Sequence, residues 1–169
     1  MLIRMLSNIK NWDGSMTLNR PDAFICSDTI AELRSKDNRL SVWLANSQDD
    51  VEDALVALAL NRENVNKINY CLLEDKSLEE LGIAVASDQS GLAPGLDDQI
   101  RSKHRDLIDM DFWRIGFLAE HMLEKLKKAD NQKFLTKAEV KKLLNKYKDA
   151  DKIEISAVKD SLKKSLKWE

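Results

Sequence analysis

A chain of 169 residues, 43% hydrophobic and 33% charged, is long enough for one ordinary domain or for a domain with an appendage, and its composition excludes wholesale disorder. No apolar run approaches the ~20 residues that span a bilayer, which excludes a membrane-spanning helix. The net charge of −2 conceals an asymmetry: residues 1–124 hold 13 Lys and Arg against 22 acids, whereas residues 125–169 hold 14 Lys and no Arg against 7 acids. An acidic body with a basic end attracts an acidic partner or holds its own halves together.

Residues 1–9 are apolar but carry Arg4 and Asn8 and lack a convincing cleavage site, so they read as a first strand rather than a secretion signal. Residues 22–27 read as a strand. Thr29 and Glu32 have capping-box spacing ahead of Leu33 and predict a short helix. Residues 39–45 are β-branched and aromatic enough for a second strand, with a hairpin lacking the intervening helix as the rival. Ser47 or Asp49 caps the next helix, and Asp50, Glu52 and Asp53 fall in its first turns, where the helix dipole favours acids. Val51, Leu55 and Leu58 give that helix a buried face, and the polar stretch 61–66 ends it. Residues 68–73 form a third strand. Ser77 and Glu80 frame a second capping box, Gly82 supplies a left-handed stop, and residues 83–86 follow as a fourth strand. Strands alternating with helices are the pattern of a largely parallel sheet.

Gly91, Pro94 and Gly95 mark residues 88–97 as a linker, beyond which everything reads as helix. Ile108, Phe112, Ile115, Ala119, Met122 and Leu126 alternate spacings of four and three, which predicts one continuous helix over 98–128. Met110, Trp113 and Phe117 add a second apolar strip beside this stripe, and Gly116 between them permits a close helix approach. Thr136 and Glu139 frame a capping box that opens a helix with Val140, Leu143, Leu144 and Tyr147 inward. Ser156 caps the last helix, which sets Val158, Leu162 and Leu166 against Lys159, Lys163 and Lys167. The expected fold is therefore α/β: a small, mostly parallel N-terminal sheet with helices over 1–90, a linker at 91–97, and an all-helical C-terminal region over 98–169 made of one long helix and two short lysine-rich ones.

The strong catalytic signatures are missing: there is no phosphate-binding glycine loop, no paired CxxC, no HExxH and no GxSxG. Weaker constellations remain. Parallel strands would bring their carboxyl ends, with Ser27, Asp28, Asn46, Ser47, Asp49, Glu74 and Asp75, to one rim whose oxygens suit Mg²⁺. The same residue types also serve as helix caps and turn formers. His104 and Asp111 fall near one face of the expected helix and His121 on another, so no histidine-rich metal centre is expected. Asp149, Asp151 and Asp160 echo a calcium loop, but Ile153 takes a ligand position and Glu154 stands where the turn requires glycine. The terminal lysines suit phosphates, yet the absence of Arg and the interleaved acids weigh against nucleic acid. Cys26 and Cys71 lie in apolar runs and read as two reduced, buried thiols.

The favoured reading is a cytoplasmic, non-catalytic protein–protein interaction or regulatory protein. Its partner is another protein or a second copy, held through Met110, Trp113 and Phe117, residue types that interface cores favour. The alternative is an enzyme or a small-ligand or Mg²⁺ binder using the acidic rim. The third is a weak nucleic-acid binder through the lysine-rich helices. No catalytic residue, metal or cofactor is assigned.

Overall fold

The computed structural model describes residues 1–12, 27–33, 36–87 and 95–168, and the statements below concern these. Their strands are β1 (Leu2–Leu6), β2 (Leu40–Leu44), β3 (Ile68–Leu73), β4 (Ala84–Ser87), β5 (His104–Ile108) and β6 (Lys133–Leu135). Their α-helices are α1 (Ser27–Glu32), α2 (Gln48–Leu60), α3 (Asp75–Glu80), α4 (Asp98–Arg101), α5 (Phe112–Leu126), α6 (Lys137–Asp149) and α7 (Asp160–Leu166). The six strands form one sheet in the order β4-β5-β2-β1-β3-β6, antiparallel at every neighbouring pair.

This corrects the expected, mostly parallel sheet. The β2-α2-β3 unit does run as the alternation implies, since β2 and β3 both oppose β1 and so point the same way. But β1 lies between them, giving a split β-α-β arrangement in which each neighbouring contact is antiparallel. The all-helical C-terminal region is corrected as well: β5 and β6 belong to it, and strands from both sides of the expected 91–97 boundary share the one sheet. The helix expected over 98–128 is three elements, α4, β5 and α5. Between the last two the chain reverses at Asp109, whose φ of 56° is left-handed. Asp111 then caps α5 by accepting from the Arg114 backbone N–H at 2.8 Å.

Two of the local capping signals match their elements. Ser47 with Asp50, and Thr136 with Glu139, form reciprocal capping boxes on α2 and α6. Glu74 rather than Ser77 precedes α3, and Lys159 rather than Ser156 precedes α7, the Ser156 hydroxyl being spent on Glu154 at 2.7 Å. Ser27 opens α1 instead of closing a strand, and the Thr29 hydroxyl donates to the Asn11 carbonyl instead of capping. Residues 22–26, including Cys26, and residues 88–94, including Gly91 and Pro94, lie outside the described residues. Leu96, at the end of the expected linker, is buried and bridges to Ile153.

Alternation along the strands feeds two cores. Ile3, Trp43 and Ile68 face one layer, closed by Leu55 and Ala59 of α2, Leu144 of α6 and Leu162 of α7. Leu2, Leu6, Val42, Leu73 and Leu107 face the other, closed by Leu118, Met122 and Leu126 of α5. The basic end is fastened to the acidic body. Lys125 meets Glu74 at 2.9 Å, Lys146 meets Glu52 at 2.5 Å, and Lys159 meets Glu63 at 2.7 Å. Part of the charge asymmetry is thus met within the chain. Among the described residues no helix is long and apolar enough to cross a membrane.

Candidate functional site

Helix α5 crosses the sheet from its β4 margin, where Arg114 Nε donates to the Gly82 carbonyl at 3.1 Å, to β3, where Lys125 Nζ donates to the Leu72 carbonyl at 3.2 Å. Its two halves differ. In the second half Leu118, Ala119, Met122, Leu123 and Leu126 are buried. In the first, Phe112 is 77% exposed, Trp113 69% and Phe117 49%. The Phe112 and Trp113 rings meet edge-on at 6.2 Å. Val85, 42% exposed, stands on the adjoining edge strand, opposite Leu107 and therefore on the same side of the sheet as α5.

The expected second strip is divided by this geometry. Met110 is 1% exposed and belongs to the core beneath α5, because it precedes the helix in the connection from β5. Trp113 and Phe117 point away from that core. Phe112, placed by spacing in the buried stripe, joins them as the first residue of the helix. The Asp111 cap was the local signal for this, since a cap there leaves no preceding turn to continue the stripe.

The rim residues fall into separate groups. Asn46 Oδ1 and Asp75 Oδ2 both accept from the Met1 amine, at 2.7 and 2.8 Å, because β2 and β3 flank β1 and end beside its start. Glu74 turns to Lys125, whose hydrogen bond holds its carboxyl below the usual carboxylate range. Ser47 is spent as the α2 cap. Ser27 and Asp28 sit on α1, which Glu32 ties to Ser7 and Asn8 at the opposite end of β1.

Asp49 lines a cleft of about 280 Å³ that the sequence did not reveal, with Asp53, Lys103 and Tyr147 at its base. Asp53, 5% exposed, accepts from the Tyr147 hydroxyl at 2.6 Å and from Lys103 Nζ at 2.5 Å, and Lys103 also donates to Asp50 at 2.6 Å. The hydrogen bond from Lys103 lowers the Asp50 carboxyl. Burial pulls the Lys103 ammonium down, but its bonds to both carboxylates outweigh this and leave it raised. Burial, reinforced by Asp53, raises the Tyr147 phenol. Each of these groups has a partner, so the cluster pins α2, α6 and the turn before β5 together.

A third constellation lies under the second half of α5. His121, Lys125, Lys128, Glu74, Cys71 and Asn131 are among the residues around a cavity of about 530 Å³. Cys71 is buried, and burial pushes its thiol up to about 11, so it stays protonated at neutral pH. His121 Nε2 is buried and makes no hydrogen bond among the described residues. Burial holds the imidazole below its ordinary 6.5, with Lys125 adding to the effect and Glu74 and Glu80 opposing it. Its depressed folded value means that the unfolded chain takes up this proton first on acidification. The stability His121 confers is therefore complete above pH 6.5 and declines as pH falls through the folded value. A His121→Asn variant is expected to flatten the urea midpoint between about pH 7 and 5. An unaltered slope would assign that titration elsewhere. His104 is buried in β5 rather than placed on a helix, its ring edge-on to Trp43 at 5.1 Å. Among the described residues no group of three or more His, Cys, Asp or Glu could hold a metal. No family model, curated protein or solved structure matches the chain.

Proposed function

We propose that the chain is a non-catalytic interaction protein that engages another protein through the first half of α5. The observation supporting this is the exposure of Phe112, Trp113 and Phe117 on two turns of a helix whose remaining turns are packed. A chain folding for itself alone gains nothing from three aromatic rings in water, and exposed apolar patches are where association is sought first. Trp is among the residue types that most often dominate binding energy. Asp111 caps the helix and Arg114 straps it to Gly82, which reduces the backbone ordering that binding would require.

The test is a photoreactive phenylalanine analogue at position 112, irradiated in cells that make the protein. A discrete adduct is expected, and Phe117→Glu in the same chain is expected to abolish it while leaving the circular dichroism spectrum intact. A folded protein that yields no adduct would sink the reading.

A further inference from the structure

We propose that the cavity beneath the second half of α5 binds a phosphate monoester, with Lys128 and Lys133 meeting the phosphate and His121 beside them. The charges around the cavity point to an anion. Glu74 and Glu124 line it, and each already has a lysine: Lys125 meets Glu74 at 2.9 Å, and Lys127 pairs with Glu124. The Met1 amine, also at the cavity, is held by Asn46 and Asp75. Lys128, from the turn after α5, and Lys133, from β6, line the cavity as well, and neither makes an ion pair among the described residues. The lining thus carries two lysines that no acid of the fold answers.

The ordinary task of a lysine at this place is done by other groups. The last turn of a helix exposes carbonyls that lysines commonly meet. Here the Asn131 amide donates to the Lys125 carbonyl and the Gln132 amide to the Leu126 carbonyl, each at 2.9 Å. Lys128 is therefore not needed to close its own helix. A phosphate monoester carries about −1.5 to −2 charges at pH 7, which two lysines match. Cys71, Leu72 and Met1 bring apolar surface for an organic substituent. A space of about 530 Å³ is far larger than a bare ion requires and falls among small-ligand pockets.

His121 supplies a signature. Its buried Nε2 has no hydrogen-bond partner, which native folds rarely leave standing. The charges acting on the ring are Lys125 on its own helix, and Glu74 and Glu80 from either end of α3. From β3 the cavity receives Cys71, whose thiol stays protonated at neutral pH. A dianion in the cavity adds negative charge to this set and favours the imidazolium, so binding draws a proton onto His121.

The test is a titration of the full chain with glycerol phosphate, followed by the NMR signals of the His121 ring, with chloride at equal ionic strength as the control. A saturable shift is expected, and the His121 midpoint is expected to rise by about half a pH unit or more at saturation. Lys128→Gln combined with Lys133→Gln is expected to weaken binding at least about tenfold with an unchanged circular dichroism spectrum. Co-sedimentation with phosphatidylcholine vesicles containing phosphatidate separates the sources of the phosphate. Saturation by glycerol phosphate supports a soluble ester. Binding to the phosphatidate vesicles alone, lost in the double variant, supports the same chemistry on a lipid headgroup. A protein that responds to neither probe overturns the proposal. So does a response that chloride reproduces, or one that the double variant retains in full.

Discussion

Asp53→Ala is expected to lower stability by about 3 kcal/mol, read as a drop in Tm of about 9 °C or a proportionate shift in the urea midpoint. The carboxylate is buried and answers two donors on different elements, Tyr147 on α6 and Lys103 before β5. Removing it orphans the phenol, whose desolvation alone costs about 1–3 kcal/mol. It also leaves the Lys103 ammonium with Asp50 as its remaining carboxylate. Asp53→Asn keeps an acceptor for Tyr147 but loses the charge, so about half the effect is expected. Tyr147→Phe removes one donor from a carboxylate that keeps Lys103, and about 1 kcal/mol is expected. Equal losses for all three variants would show that the site is held by packing rather than by the network.

Glu32→Ala carries the second large effect, about 3 kcal/mol by thermal or urea denaturation. Its carboxylate gathers four donors at the exit of β1. These are the backbone N–H groups of Ser7 and Asn8, the Asn11 amide at 2.9 Å and the buried Trp12 indole at 3.1 Å. It also faces Arg4, whose guanidinium burial lowers to about 10 while Glu32 pulls it back up. Glu32→Gln is expected to be almost as damaging as alanine. An amide offers one acceptor and turns a donor toward a site where only donors converge. A glutamine variant of wild-type stability would refute this account of the clasp.

Much of the local architecture was legible, because it rests on signals a few residues long. The helix over 48–60 announces itself through Ser47 and Asp50, and the strand over 68–73 through its apolar run between polar flanks. What could not be read is which strand lies beside which. Nothing in residues 2–6 says that they divide β2 from β3, and that single placement turns an apparently parallel sheet antiparallel. The helix over 98–128 failed for a different reason. Ile108 continues the spacing of Ile115 and Met122, so a strand and a helix read as one period until Asp109 and Asp111 are weighed as a turn and a cap. At the candidate surface, Trp113 and Phe117 were legible as an apolar strip. Their exposure was not, since it depends on what the rest of the chain leaves uncovered. The Asp53 and His121 clusters join residues distant in sequence and have no local signature.

The place of β5 between β4 and β2 fixes an order of events during synthesis. A ribosome delivers β4 before β5, so β4 waits with no strand to pair with, and β2 keeps one edge open, until residue 108 has emerged. Helices such as α2 form as they are made, whereas the sheet closes only through contacts distant along the chain, which places its folding toward the slow end. Throughout that interval Ala84–Ser87, which contains neither charge nor proline, is an unguarded template for a neighbouring nascent chain.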